Sequence, residues 1–291
     1  MPEQAYAIVF TPHPDDAEGG AGGTIIRWTR EEKDVILVIC TDGDKGTNDP
    51  KVNPKDLVVI RNAEQRAAAE LLGVRDVIFL DHSDQTLADT PEFREETTRL
   101  IRQYRPEIVL TTDFQRRYRS HPDHRINGQV VMNAVSLYAR NLYAFPDLYF
   151  KESLELHQVK EVWFWGSDEP NYVSDITATF DDKMAALHCH KSQYGESSPE
   201  RTKRMRDRYE VQAENEEFEL GEAFHRVEMM QPPSPPSKNV SKGGRSHLPK
   251  PSTITAKPNS PVIPICSWPC RQQSLPGWAV LPLLQLTTAC W

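Results

Sequence analysis

Cysteine is scarce in this chain of 291 residues, which contains five. Only Cys40 and Cys189 precede residue 232, too few for the disulfide framework of a small secreted protein. No run reaches the roughly 18 uninterrupted apolar residues of a membrane span. The first ten residues also lack the basic start and apolar stretch of a secretory signal. We therefore expect a soluble, cytoplasmic protein with no membrane span.

Residues 232–291 contain no aspartate or glutamate, so the acidic residues that give the whole chain its net charge of −8 all lie in residues 1–231. Residues 232–291 also hold twelve of the 23 prolines, so we predict a domain over residues 1–231 and a Pro-rich, disordered tail over residues 232–291. The main interpretation is that the tail has no folded role, and the alternative is that it acts as a docking peptide or a membrane-surface anchor. Because nucleic-acid binding requires a basic surface, the acidic main part argues against a nucleic-acid partner.

Apolar runs alternate with helical patterns four times between residues 5 and 142. The runs occupy residues 5–10, 34–43, 76–81 and 107–113, and the helical patterns occupy residues 22–32, 60–74, 91–106 and 126–142. This alternation predicts an α/β fold with a mainly parallel sheet covered by helices on both faces. Further strands are predicted at residues 161–167 and 175–180, and further helices at residues 181–190 and 198–217. Residues 218–229 fit a closing strand or a closing helix.

Two clusters of histidine and aspartate follow the first and fourth predicted strands. The first cluster, HPDD, contains His13, Asp15 and Asp16, and the second, HPDH, contains His121, Asp123 and His124. In a doubly wound sheet the first and fourth strands are neighbours, and a crevice opens between their carboxyl ends. We therefore expect the two clusters to face one another across this crevice.

Imidazole and carboxylate groups suit zinc, and a catalytic zinc has three protein ligands and a water molecule. We expect His13, Asp16 and His124 to be the ligands, which leaves Asp15 free as the base. Zinc lowers the pKa of its water to about 7, so that a carboxylate can accept its proton. His121 is then available as a donor to the oxyanion or the leaving group.

Helix capping is the simpler interpretation of either cluster alone, because an aspartate after a proline is a common N-cap. The presence of both clusters beside the expected crevice favours a site. The glycines of GGAGGT do not fit the dinucleotide-binding spacing G-x-G-x-x-G. They indicate instead a close approach of the first helix to the sheet and to a ligand.

Five segments, in this order, resemble the LmbE-like family of metal-dependent de-N-acetylases, also called the PIG-L family. These segments are HPDDAEGGAGGTI, TDGDKG, RNAEQRAAAELLGV, HPDHR and HKSQ. The resemblance implies a Rossmann-like, three-layer fold, with zinc held by His13, Asp16 and His124 and another divalent metal in some members. It also implies that Asp15 is the general base and that His121 assists at the oxyanion or the amine. Relatives often form trimers or hexamers.

The resemblance places Arg61 and His190 at the substrate site, and Asp84 is a third candidate because it follows the third predicted strand. Each of the three has a competing interpretation. Arg61 reaches the substrate site in relatives, although a surface arginine paired with Glu64 fits equally well. His190 borders the site or is a solvated residue at a helix end. Asp84 lines the crevice or caps a turn.

The sequence thus predicts a zinc-dependent hydrolase that removes the N-acetyl group from an N-acetylglucosamine-type sugar. Two alternatives stay open: hydrolysis of another amide, such as a mycothiol- or bacillithiol-type conjugate, and a metal-binding scaffold without activity. Four aromatic residues after the second cluster could stack on a sugar, but they fit a core or a subunit contact better. These are Tyr143, Phe145, Tyr149 and Phe150.

Overall fold

A computed structural model describes residues 4–118 and 120–230 of the chain. Its seven strands are β1 (Ala7–Thr11), β2 (Val35–Thr41), β3 (Asp76–His82), β4 (Ile108–Thr112), β5 (Glu161–Trp165), β6 (Tyr172–Asp175) and β7 (Gly221–Glu228). Its eight α-helices are α1 (Asp16–Arg30), α2 (Pro54–Leu72), α3 (Pro91–Tyr104), α4 (Pro122–Ser136), α5 (Pro146–Phe150), α6 (Phe180–Leu187), α7 (Lys191–Tyr194) and α8 (Pro199–Gln212). The predicted tail, including Cys266 and Cys270, lies outside the described residues, and the domain boundary stays a prediction.

The strands form one sheet in the order β3-β2-β1-β4-β5-β7-β6. Strands β1 to β5 are parallel, and β7 runs antiparallel to β5 and β6. The predicted Rossmann-like architecture with a mainly parallel sheet is confirmed. Since β1 pairs with β4, the winding reverses between the two strands that precede the clusters.

Alternate residues of the central strands pack on opposite faces of the sheet, which makes three layers. In β1, Ile8 and Phe10 join the core cluster that contains residues of α3 and α4. Ala7 and Val9 join the cluster that contains residues of α1 and α2. Among the described residues, no helix is both long and apolar enough to cross a membrane.

Several predicted elements have other bounds in the structure, and α1, α2 and α4 each begin four to six residues earlier than predicted. The first helix starts at Asp16, so the glycines lie inside α1, where Gly20 packs against the indole of Trp165. The strand predicted over residues 175–180 is wrong, because β6 ends at Asp175. The Asp175 carboxylate accepts a hydrogen bond from the Thr177 N–H, a local turn that ends the strand. The undecided segment near the end is the strand β7.

A buried ion pair fixes α1 against α6 and β7. The Lys183 ammonium donates to Glu222 at 2.6 Å and to the Gly19 carbonyl at 3.0 Å, and both side chains of the ion pair are fully buried. Glu222 also accepts the N–H groups of Gly23 and Thr24. Paired charges with several hydrogen bonds are the form in which buried ions are tolerated.

Candidate metal centre and active site

The two clusters meet at the carboxyl ends of β1 and β4. The Oδ2 atom of Asp16 lies 2.9 Å from Nδ1 of His13 and 3.1 Å from Nε2 of His124. These donor atoms belong to one group whose members all lie within 4.8 Å of one another. Ligands of one tetrahedral zinc lie roughly 3.3 Å apart, given bonds of about 2.0–2.1 Å. The spacing of the three donor atoms therefore fits a single metal ion.

His13 is surrounded by carboxylates on both sides of its ring. Its Nε2 atom lies 3.0 Å from Asp84 and 3.4 Å from Asp123, both of which are buried. Burial alone would lower the pKa of His13, but hydrogen bonds to Asp123, Asp16 and Asp84 outweigh it and raise the pKa to about 11. The site thus favours a positive charge at its centre, which a divalent cation supplies.

Asp16 is the carboxylate at the centre of this group. Burial acts to raise its pKa, but the charge of His124 and hydrogen bonds to both histidines hold the pKa well below the usual range. An ionised carboxylate with two imidazole groups is a donor set that suits zinc and several other divalent metals. The residues present therefore fit the metal that the sequence predicts.

Asp15 precedes the first residue of α1 but does not cap the helix. Its φ angle is 98°, in the left-handed region, and its side chain makes no capping hydrogen bond. Its N–H donates to Gln65 at 3.1 Å, and the Arg61 guanidinium lies 3.5 Å from its Oδ2. Burial and the charge of Asp16 raise the pKa of Asp15 to about 7, although Arg61 opposes this shift. Such a carboxyl can exchange protons near neutral pH.

His121 is the N-cap of α4, and its Nδ1 accepts the N–H of Asp123 at 3.2 Å. This bond leaves Nε2 to carry the proton of a neutral imidazole. The ring centroid of His121 lies 4.9 Å from that of His13. Burial and the charge of His13 lower the pKa of His121, which favours the neutral form.

A second buried layer lies beneath Asp15. Gln65 accepts the Asp15 N–H and donates to Glu18 at 2.6 Å. The other oxygen of Glu18 lies 3.6 Å from Nε2 of His190, and both residues are fully buried. Burial alone would lower the pKa of His190, but contact with Glu18 outweighs it and the pKa is raised. This layer holds the backbone at Asp15.

The three residues assigned to substrate lie behind the metal site instead of in the cavity beside it. Arg61 is buried and donates to the carbonyls of Pro14 and Gly43, so the interpretation of a surface pair with Glu64 is wrong. His190 is fully buried, so the solvated interpretation is also wrong. The Asp84 carboxylate contacts His13 and caps no turn. Their substrate-binding roles stay predictions.

A cavity of about 400 Å³ opens beside Asp15, Asp16 and His124. Its walls include Trp165 at the end of β5 and several residues of α7 and α8, none of which carries a sequence motif that predicts a place in the site. The wall residues of these helices are Tyr194, Met205, Arg208, Tyr209 and Gln212. The four aromatic residues of the segment after α4 are not among the described residues that line it, and Tyr143 and Phe150 are exposed.

A three-layer α/β fold with two histidines and an aspartate at its switch point defines a metal-dependent α/β enzyme. The model of the PIG-L family, described as GlcNAc-PI de-N-acetylase, matches residues 8–135, which contain both clusters. The chain belongs to this family of de-N-acetylases, as the sequence predicted.

Relatives with known names support this membership. The chain is 38% identical over 189 residues to a diacetylchitobiose deacetylase from Thermococcus kodakarensis, covering 65% of this chain and 70% of the relative. It is 30% identical over 200 residues to a probable N-acetyl-alpha-D-glucosaminyl L-malate deacetylase 2 from Bacillus cereus, covering 65% and 84%.

A solved structure of similar fold is the N,N'-diacetylchitobiose deacetylase from Pyrococcus horikoshii. Its TM-score is 0.70 and its sequence identity is 29%, over 77% of this chain and 84% of that one. The chain is therefore similar to deacetylases in both sequence and fold.

Proposed function

We propose that the protein is a zinc-dependent hydrolase that removes the acetyl group from an N-acetylglucosamine-type substrate. The observation that carries the proposal is the convergence of His13, Asp16 and His124, with the Asp15 carboxylate lining the same cavity and contacting Arg61. The relatives' names, which refer to acetylated amino sugars, support the choice of substrate.

His13, Asp16 and His124 would hold the metal, which supplies Lewis acidity and lowers the pKa of a water molecule. Asp15 accepts a proton from the attacking water, because its raised pKa lets it take and release a proton near neutral pH. The water oxygen bonds to the acetyl carbon, and the C–N bond breaks to give acetate and an amine. His121 donates a hydrogen bond from Nε2 to the oxyanion, since its Nδ1 is already occupied as an acceptor. The proton held by Asp15 passes to the nitrogen of the leaving amine.

The test is acetate release from a panel of N-acetylated sugars, using protein whose metal content has been measured. Asp15→Asn should keep the metal and lower kcat by about 10²- to 10⁴-fold, the contribution of a positioned base. His124→Ala should lose the metal. An Asp15→Asn protein with nearly normal turnover would overturn the assignment of the base.

The alternative amide substrates are separated by the released fragment. Release of an acyl or amino-acid fragment larger than acetate would favour a conjugate amidase. Full zinc occupancy with no product from any amide would favour the scaffold. Metal analysis of protein from cells tests zinc against other divalent ions. The cytoplasmic location and the trimeric or hexameric assembly stay predictions.

A further inference from the structure

Helix α8 forms a wall of the cavity but contributes little to the core. Only Tyr209 of its fourteen residues is buried. Its residues at positions 205, 208, 209 and 212 line the cavity, and this spacing places them on one face of the helix. The face of α8 that is turned toward the cavity therefore carries Arg208 and Gln212 beside Met205 and Tyr209, and its polar side chains can contact a ligand.

Two arginines bring positive charge to this cavity. Arg208 comes from α8, and Arg116 comes from the segment between β4 and α4. Within residues 4–118 and 120–230, no carboxylate pairs with Arg208, and the pairing of Arg116 with Asp168 is long, at 3.8 Å. Both side chains are exposed, and their guanidinium donors are available to a ligand.

The carboxylates that line the cavity do not neutralise these arginines. Asp15 and Asp16 lie at the metal site, and a divalent cation there balances both charges. Asp113 is the remaining carboxylate of the lining, and its Oδ1 accepts the Gln115 N–H at 2.8 Å. Among the residues that line the cavity away from the metal site there are thus two guanidinium groups and one carboxylate, and Asp168, outside this lining, lies 3.8 Å from Arg116.

We propose that this cavity selects substrates whose N-acetylated sugar carries an anionic substituent, a carboxylate or a phosphate, bound by Arg116 and Arg208. The inference rests on the proposed function and deepens it. Guanidinium groups match carboxylate and phosphate geometry and form charge-assisted hydrogen bonds with them. A neutral sugar would offer no anion to Arg208 and would leave Arg116 with only its long contact to Asp168.

The experiment compares three substrates with the same sugar on metal-loaded enzyme: N-acetylglucosaminyl L-malate, N-acetylglucosamine 1-phosphate and methyl N-acetylglucosaminide. We expect kcat/KM to be at least tenfold higher for one of the anionic substrates than for the neutral one. Preference for the malate or for the phosphate identifies the anion. Added salt should reduce this preference, because the arginines are exposed.

Arg208→Gln and Arg116→Gln should each lower kcat/KM for the preferred anionic substrate by roughly tenfold more than for the neutral one. Arg204→Gln is the matched control, since Arg204 is an exposed arginine of α8 that does not line the cavity. Equal use of charged and neutral substrates, or equal losses in all three variants, would overturn the inference alone. No acetate from any substrate would overturn the proposed function and the inference together.

Discussion

Replacing Asp84 with alanine should weaken zinc binding by about 10- to 100-fold, although Asp84 is not one of the expected ligands. The His13 ring presents Nδ1 to Asp16 and Nε2 to Asp84, at 3.0 Å. A carboxylate that accepts a hydrogen bond from the second nitrogen of a metal-bound histidine fixes the ring and increases its basicity. Loss of such a partner costs about 10- to 100-fold in metal affinity or activity.

The neighbouring Asp123 limits the size of this effect. Its Oδ2 lies 3.4 Å from the same nitrogen of His13 but also accepts the Gln85 N–H at 2.7 Å, so it can replace Asp84 only in part. Asp84→Asn should weaken binding less than Asp84→Ala, because the amide oxygen can still accept a hydrogen bond.

Competition against a chelator of known affinity measures the zinc dissociation constant of each variant. Glu96→Gln is the control, because His82 and Glu96 form a similar pair at 2.7 Å outside the site. An Asp84→Ala protein with unchanged zinc affinity would refute the argument that this carboxylate supports His13.

Two further predictions concern α1. Gly20→Ala should lower the free energy of unfolding by about 1–2 kcal/mol and raise KM, because the added Cβ would lie 2.3 Å from Cδ1 of Trp165. Overpacking costs about 1–3 kcal/mol, and replacing a helical glycine with alanine returns about 0.5–1 kcal/mol of this. Thermal unfolding and steady-state kinetics test this, with Gly19→Ala as the matched control, because nothing lies within 4 Å of its Cβ. Lys183→Met should cost about 3–5 kcal/mol in urea unfolding, because it leaves Glu222 buried and unpaired. The double variant with Glu222→Leu should recover much of that loss, and failure to recover it would contradict the ion-pair explanation.

The sheet and the meeting of the two clusters could be predicted because both depend on patterns that persist along the chain. Apolar runs identify the buried strands, and the doubly wound order then makes the first and fourth strands neighbours. The parallel part of the sheet and its switch point agree with this reasoning. His13 and His124 therefore come together although they are far apart in the sequence.

The contacts behind the metal site could not be predicted from spacing. Arg61 carries a charge, and a charged helix residue is usually assigned to the surface, yet it is buried beneath Asp15. The residues of the cavity wall could not be predicted either, because their helix looks wholly exposed in the sequence. Helix α8 is so polar that its pattern indicates only an exposed helix, and nothing in its sequence marks which face meets the cavity.

The adjacent carboxylates of Asp15 and Asp16 can differ in function because the helix begins between them. Asp16 is the first helical residue, and its carboxylate lies between two imidazole groups. Asp15 precedes the helix and has a left-handed backbone conformation, unlike Asp16. A non-glycine residue held in this region costs about 1–3 kcal/mol and persists only where its surroundings enforce it. Gln65 binds the Asp15 N–H, and Arg61 lies against its carboxylate. The histidines keep Asp16 ionised, and burial together with the negative charge of Asp16 raises the pKa of Asp15, as the proposed roles of a ligand and a base require.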